Sequence, residues 1–127
     1  MIKPKSLGAV VLSVRNVQDS LAWYREKFGF EKLYDDAPNS KGIAIGADGV
    51  VLHLNPLADP ATATNVETSR QACVQIFCLE VAQSDLDRVE REFPEDHDIV
   101  VLEDHPKYRS RIVEDPDGHA IELFAWK

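Results

Sequence analysis

Two titratable side chains stand at matching places in this chain. Asp48-Gly49-Val50-Val51-Leu52-His53-Leu54 and Asp117-Gly118-His119-Ala120-Ile121-Glu122-Leu123 each read as a turn feeding an alternating strand, and Glu122 follows His53 by 69 positions, as Gly118 follows Gly49. Imidazole and carboxylate are both suited to moving a proton or ligating a metal. An inward carboxylate between Ala120 and Phe124, which share its strand face, needs a partner there. The repeat predicts two related modules whose polar groups look into one cavity.

The neighbouring strand, Tyr108 to Glu114, decides what surrounds Glu122. If Gly118 forms a bulge after Asp115-Pro116-Asp117, Glu122 lies across from Ile112, and Tyr108 and Ser110 join its face. A shift of one residue brings Arg109 and Arg111 there instead, where they could clamp a carboxylate or phosphate; facing away, they form a solvated strand edge. Candidate ligand contacts are therefore Tyr108, Arg109, Arg111 and Phe124. Cys73 and Cys78 point to opposite faces of one expected strand and read as reduced, packed thiols.

The elements that position these residues repeat in order. Leu7 to Val14 is rich in Val and Leu and predicts a strand buried on both faces. Asn16 is an N-cap, Val17, Leu21, Tyr24 and Phe28 form a helical stripe, and Gly29 is the left-handed stop. Phe30 to Tyr34 predicts a strand, and Gly42 to Ala47 with Val50 to Asn55 a hairpin. After a Pro- and Thr-rich connector, Ala72 to Val81 opens a second copy. Ser84 with Asp87 predicts a capping box for a helix that Pro94 ends. Ile99 to Leu102, Tyr108 to Glu114 and the last hairpin complete it. The expected fold is α+β: tandem βαβββ modules, 1–55 and 71–127, joined by a linker at 56–70 in one domain, forming a curled mixed sheet around a cleft with helices outside.

With 44% hydrophobic and 28% charged residues among 127, the chain has an ordinary globular composition. Its formal net charge of -8 repels a phosphate backbone, so nucleic acid is not an expected partner. Leu7 to Leu12 is far shorter than the roughly 18 apolar residues a membrane span needs. No membrane partner and a cytoplasmic location are expected.

Val14 to Tyr24 running into Phe28-Gly29-Phe30, together with Asp115-Pro116-Asp117-Gly118-His119-Ala120-Ile121-Glu122-Leu123, resembles the vicinal oxygen chelate superfamily. That group includes glyoxalase I, bleomycin-resistance proteins, fosfomycin-resistance transferases and extradiol dioxygenases, and the likeness spans essentially the whole chain. The resemblance implies metal ligands on the first and last strands of each module. Carried over by position, Glu122 matches an acidic ligand and His53 stands where Glu or Gln is common. Ala9 replaces the usual first-strand His, and the remaining ligand falls on Val74 or, with a one-residue slip, on Gln75. The implied cofactor is one divalent metal (Zn, Ni, Mn or Fe) on His53, Gln75 and Glu122, or none, as in the bleomycin-resistance relatives. A homodimer binding a small organic molecule is the expected assembly. Metal-dependent lyase or dioxygenase activity, carried by Glu122 and His53, is the alternative, and a structural module without a small ligand is another.

Overall fold

The computed structural model describes residues 1–36, 41–59 and 76–127. It divides into two compact units, Met1–Ala63 and Thr64–Lys127. Each holds its own four-stranded mixed sheet, so the strands hydrogen-bond into two separate sheets and not one continuous curled one.

In the first unit, β1 (Val10–Val14), α1 (Val17–Phe28), β2 (Glu31–Asp35), β3 (Ile43–Ala47) and β4 (Val50–Pro56) follow in order. The sheet order is β1-β4-β3-β2, with β1 parallel to β4 and the other pairs antiparallel. The helix starts and stops where its end residues dictate. Asn16 accepts a bond from the Asp19 amide at 2.9 Å, and Gly29, at φ 68°, turns the chain into the left-handed region that glycine enters without penalty. Leu21 and Tyr24 on α1 bury with Leu12, Val14, Ile43, Ile45, Leu52 and Leu54. The Tyr24 ring stacks at 6.2 Å on that of Phe30, which anchors the entry to β2.

The β3–β4 connection is a two-residue Asp48-Gly49 turn with positive φ at both positions, the form that matches the twist of a hairpin. β1 is shorter than the Leu7 to Val14 run predicts, and it is buried on one face only. Leu12 and Val14 are covered while Val11 is 60% exposed. The helix covers one side of the sheet, and the composition of β1 alone could not say which side was bare.

In the second unit, β5 (Ile76–Glu80), α2 (Gln83–Leu86), α3 (Val89–Glu92), β6 (Val100–Leu102), β7 (Tyr108–Glu114) and β8 (Ala120–Trp126) give the order β5-β8-β7-β6. Again the first strand runs parallel to the last, and the rest are antiparallel. The expected single helix capped by Ser84 is two one-turn pieces, and the cap of α2 falls two residues earlier, at Ala82, with no side-chain cap bond. Long-range bonds hold that start instead: the Gln83 side-chain Nε2 donates to the Trp126 carbonyl at 2.6 Å, and Asp87 pairs with Arg109. Leu86, Val89 and Phe93 bury against the sheet side that carries Val113, Ile121, Leu123 and Ala125.

Candidate functional site

Around Glu122 the site is set by the β7–β8 turn. Asp115 anchors it: its Oδ1 accepts from the Asp117 and His119 amides, each at 2.9 Å. The Gly118 amide returns to the Asp115 carbonyl at 3.0 Å, Gly118 sits at φ 85°, and the Asp115 amide reaches the His119 carbonyl at 3.0 Å. This is a type I turn closed by a glycine bulge. It sets Ile112 across from Glu122, Ser110 across from Phe124, and Tyr108 across from Trp126. Glu122 thus shares its face with Tyr108, Ser110 and Phe124, away from α2 and α3.

The rings of Phe124 and Trp126 meet edge-on at 5.3 Å, Tyr108 contacts Phe124 at 6.2 Å, and His105 stacks on Tyr108 at 4.0 Å. A half-buried carboxylate therefore stands beside an aromatic cluster.

The two arginines take the opposite face. Arg109 donates to Glu103 at 2.7 Å, to Gln83 at 2.6 Å and to Asp87 at 2.8 Å. Arg111, only 7% exposed, pairs with Glu90 at 2.9 Å and with Glu103 at 2.6 Å. Bonds from Arg109 and then Arg111 hold the Glu103 carboxyl down at about 2. These guanidiniums tie the loop before β7 to the helices. The face they occupy is neither the one that carries Glu122 nor a solvated edge, because the helices lie over it.

Cys78 carried no signal of a chemical role in the sequence. The parallel β5–β8 pairing sets it directly across from Glu122, and its Sγ–H donates to Glu122 Oε2 at 3.5 Å. It is exposed, not packed away as expected. Burial of its sulfur, then the Glu122 hydrogen bond and charge, push the thiol above its ordinary value. Cys73 and Gln75 lie outside the described residues.

In the first unit, Val11 is the β1 partner of His53, as Cys78 is the β5 partner of Glu122, so the two polar residues hold equivalent places in their sheets. His53 shares its face with Val11, Ala44 and Tyr34, away from α1. Both ring nitrogens are engaged: Nδ1 meets Asp36 Oδ1 at 2.9 Å and Nε2 meets the Tyr34 hydroxyl at 3.2 Å. Neither Asp36 nor Tyr34 carried a signal in the sequence, since a bulge between Lys32 and Tyr34 resets which way β2 faces.

A catalytic divalent ion needs about three protein ligands. Taken singly, the first unit offers His53, already bonded through both nitrogens, and the second offers Glu122 with Cys78. Among the described residues no group of three or more His, Cys, Asp or Glu is arranged to hold a metal, and Ala9 has no donor side chain. Among the described residues, those within either unit do not fit the divalent-metal site that members of the superfamily typically use.

Tandem βαβββ units, each with a titratable residue on the helix-free face of its last strand, define an α+β architecture. The profile of the glyoxalase/bleomycin resistance protein/dioxygenase superfamily matches residues 6–123, and the chain belongs to that superfamily. Among solved structures it is similar to a glyoxylase/bleomycin resistance protein/dioxygenase domain from Frankia sp. EAN1pec, at a TM-score of 0.80 and 18% identity over 98% of this chain and 94% of that one. It is also similar to the fosfomycin resistance protein FosX from Listeria monocytogenes, with a TM-score of 0.71 and 16% identity over 98% and 94% of the two chains. A lactoylglutathione lyase from Agrobacterium tumefaciens gives 0.64 and 19%, over 96% and 94%. At these identities the likeness shows the fold. No curated protein sequence matches the chain.

Proposed function

We propose that this protein binds a small organic molecule on the helix-free face of a sheet: in the second unit with Glu122 as the polar contact and Tyr108 and Phe124 as apolar walls, and in the first with His53 as the corresponding polar group. The observation that carries the reading is the β7–β8 register, which gathers Glu122, Tyr108 and Phe124 on one face and sends Arg109 and Arg111 to the other. Aromatic side chains around a few placed polar groups are the usual composition of a small-molecule site. Membership of a superfamily that includes a fosfomycin resistance protein and a lactoylglutathione lyase supports the same class of ligand. The reading includes a homodimer in the cytoplasm. It is compatible with the exposed Val100, Leu102 and Trp126 on the Glu122 face, and with the lack of any helix among the described residues long and apolar enough to cross a membrane.

The test is thermal shift over a broad metabolite panel, with elemental analysis of untagged protein alongside, because a ligand that binds only the native state raises its stability. A hit at 100 times its Kd stabilises by about 2.7 kcal/mol, and Glu122→Gln and Tyr108→Ala are expected to remove most of that shift. Silence across the panel would overturn the reading. Stoichiometric divalent metal that is lost in both Glu122→Gln and His53→Ala would move the assignment to a metal-dependent lyase or dioxygenase. Sedimentation showing a monomer at micromolar concentration would remove the dimer.

A further inference from the structure

His105 carries the aromatic cluster beside Glu122 one ring further, and the backbone sets its polar edge. Its imidazole lies nearly parallel to the Tyr108 ring, at 23° and 4.0 Å between centroids, while Tyr108 meets Phe124 and Trp126 edge-on. The Lys107 amide donates to His105 Nδ1 at 3.1 Å, so that nitrogen is the acceptor. A neutral imidazole then carries its proton on Nε2. Among the described residues nothing accepts from Nε2, and the residue is exposed. Trp126, the β8 partner of Tyr108, lies roughly 13 Å along the strand from Glu122. A donor and an acceptor therefore stand toward opposite ends of one face, with aromatic rings between them.

What holds His105 there comes from the other side of the sheet. β6 ends at Leu102, and Glu103 turns its carboxylate to the helix-covered face, where Arg109 donates to Oε2 at 2.7 Å and Arg111 meets Oε1 at 2.6 Å. Arg111 is 7% exposed, and a guanidinium covered to that degree needs its anions held close. Lys127 adds two ties, from Nζ to the Glu103 carbonyl and from its amide to the Lys107 carbonyl, each at 2.9 Å. The segment from Glu103 to Lys107 is thus fastened at both ends, although every residue in it is exposed. Both arginines also have other partners: Arg111 has Glu90 at 2.9 Å, and Arg109 has Asp87 at 2.8 Å and Gln83 at 2.6 Å. Releasing Glu103 frees the segment without stranding a buried charge.

We propose that His105 is a further polar contact of the ligand site on the Glu122 face, offering its Nε2–H to an acceptor oxygen of the ligand, and that Arg109 and Arg111 are positioning residues that seat it there through Glu103. This deepens the function proposed above and rests on it. The ligand class becomes an elongated molecule with a hydrogen-bond donor for Glu122 at one end, a flat apolar middle, and a carbonyl or carboxylate oxygen at the other. Ordinary fold stabilisation does not require the arrangement. The two arginines anchor the helices through Glu90, Asp87 and Gln83, and their tie to Glu103 secures an exposed segment whose one ring lies on the ligand face.

The experiment uses the full chain. Imidazole 15N NMR in mildly alkaline buffer, without any ligand, is expected to show a protonated Nε2 and an acceptor Nδ1 on His105. Its ring protons are expected to lie upfield of their positions in the urea-unfolded chain, because they sit over the face of Tyr108, and to return there in Glu103→Gln while the amide shifts of β7 and β8 stay in place. Glu103 is exposed and both arginines keep partners, so that variant keeps the fold. The strongest hit of the metabolite panel is then titrated. His105→Phe keeps a ring on Tyr108 but has no donor, and it is expected to weaken binding roughly tenfold, the worth of one hydrogen bond, with the free protein unfolding at an unchanged temperature. His97→Phe, at another exposed histidine, is expected to leave binding unaltered. Ring protons at unfolded positions in the wild type, a protonated Nδ1, or unmoved shifts in Glu103→Gln would overturn the positioning, and equal affinity in His105→Phe would overturn the contact. A panel silent for the wild type removes the site proposed above and this contact with it. Panel hits alongside any of the other failures leave that site standing, so the two failures are distinct.

Discussion

Replacing Asp115 by Ala is expected to loosen the second unit by about 2–4 kcal/mol. The carboxylate is 5% exposed, and its Oδ1 accepts from two backbone amides, those of Asp117 and His119, each at 2.9 Å. Hydrogen bonds to a charged group contribute about 1.5–3 kcal/mol each, and a buried donor left without an acceptor keeps its full desolvation cost. Asp117 is itself only 6% exposed, so water cannot simply replace the lost oxygen at its amide. Against this stands the relief of not burying a carboxylate, which brings the sum down to the stated range. Asp115→Asn keeps one acceptor oxygen and is expected to cost less than half as much. Urea unfolding with an unchanged m-value measures the loss. Native-state hydrogen exchange of the β7 and β8 amides localises it, with about 3 kcal/mol corresponding to roughly a hundredfold faster exchange. A loss below about 0.5 kcal/mol, or faster exchange confined to the first unit, would refute the claim that this turn fixes the register that presents Glu122.

Two further outcomes are expected. Glu122→Gln removes the negative charge that, after burial, helps hold the Cys78 thiol up, so in a Cys73→Ser background iodoacetamide should modify Cys78 faster, with the pH profile displaced toward lower pH; an unchanged profile would contradict the contact. Glu103 is held at about 2 against an ordinary value of 4.5, so the folded state binds fewer protons than the unfolded chain. Its stabilisation is present above 4.5 and is lost as pH falls from there toward 2. Glu103→Gln should flatten that part of an acid-unfolding curve, and a curve of unaltered slope would show that Arg109 and Arg111 do not stabilise the fold through it.

Local chemistry made much of this protein legible in the sequence. Asn16 and Gly29 bound α1 because an Asn side chain can cap an amide nearby and glycine alone turns left without strain. Asp48-Gly49 and Asp115-Pro116-Asp117-Gly118 announce their hairpins for the same reason, and the glycine bulge in the second sets Ile112 against Glu122. Contacts of this kind reach over a few residues, so the chain states them directly. The capping box at Ser84 is the instructive exception, since the bonds from Gln83 to Trp126 and from Asp87 to Arg109 span far longer separations and outweigh a local cap.

What only the tertiary structure decided is which distant groups meet. Strand parity left Arg109 and Arg111 free to face either way until the β7–β8 pairing turned them to Glu103, Glu90 and Asp87. Cys78 became the neighbour of Glu122 through a parallel pairing across 44 positions. His53 acquired Asp36 and Tyr34 because β3 lies between β4 and β2 and a bulge rephases the outer strand. Periodicity tells which residues of one strand share a face. The chemistry of that face depends on the register of its neighbours, and long-range pairing alone sets it.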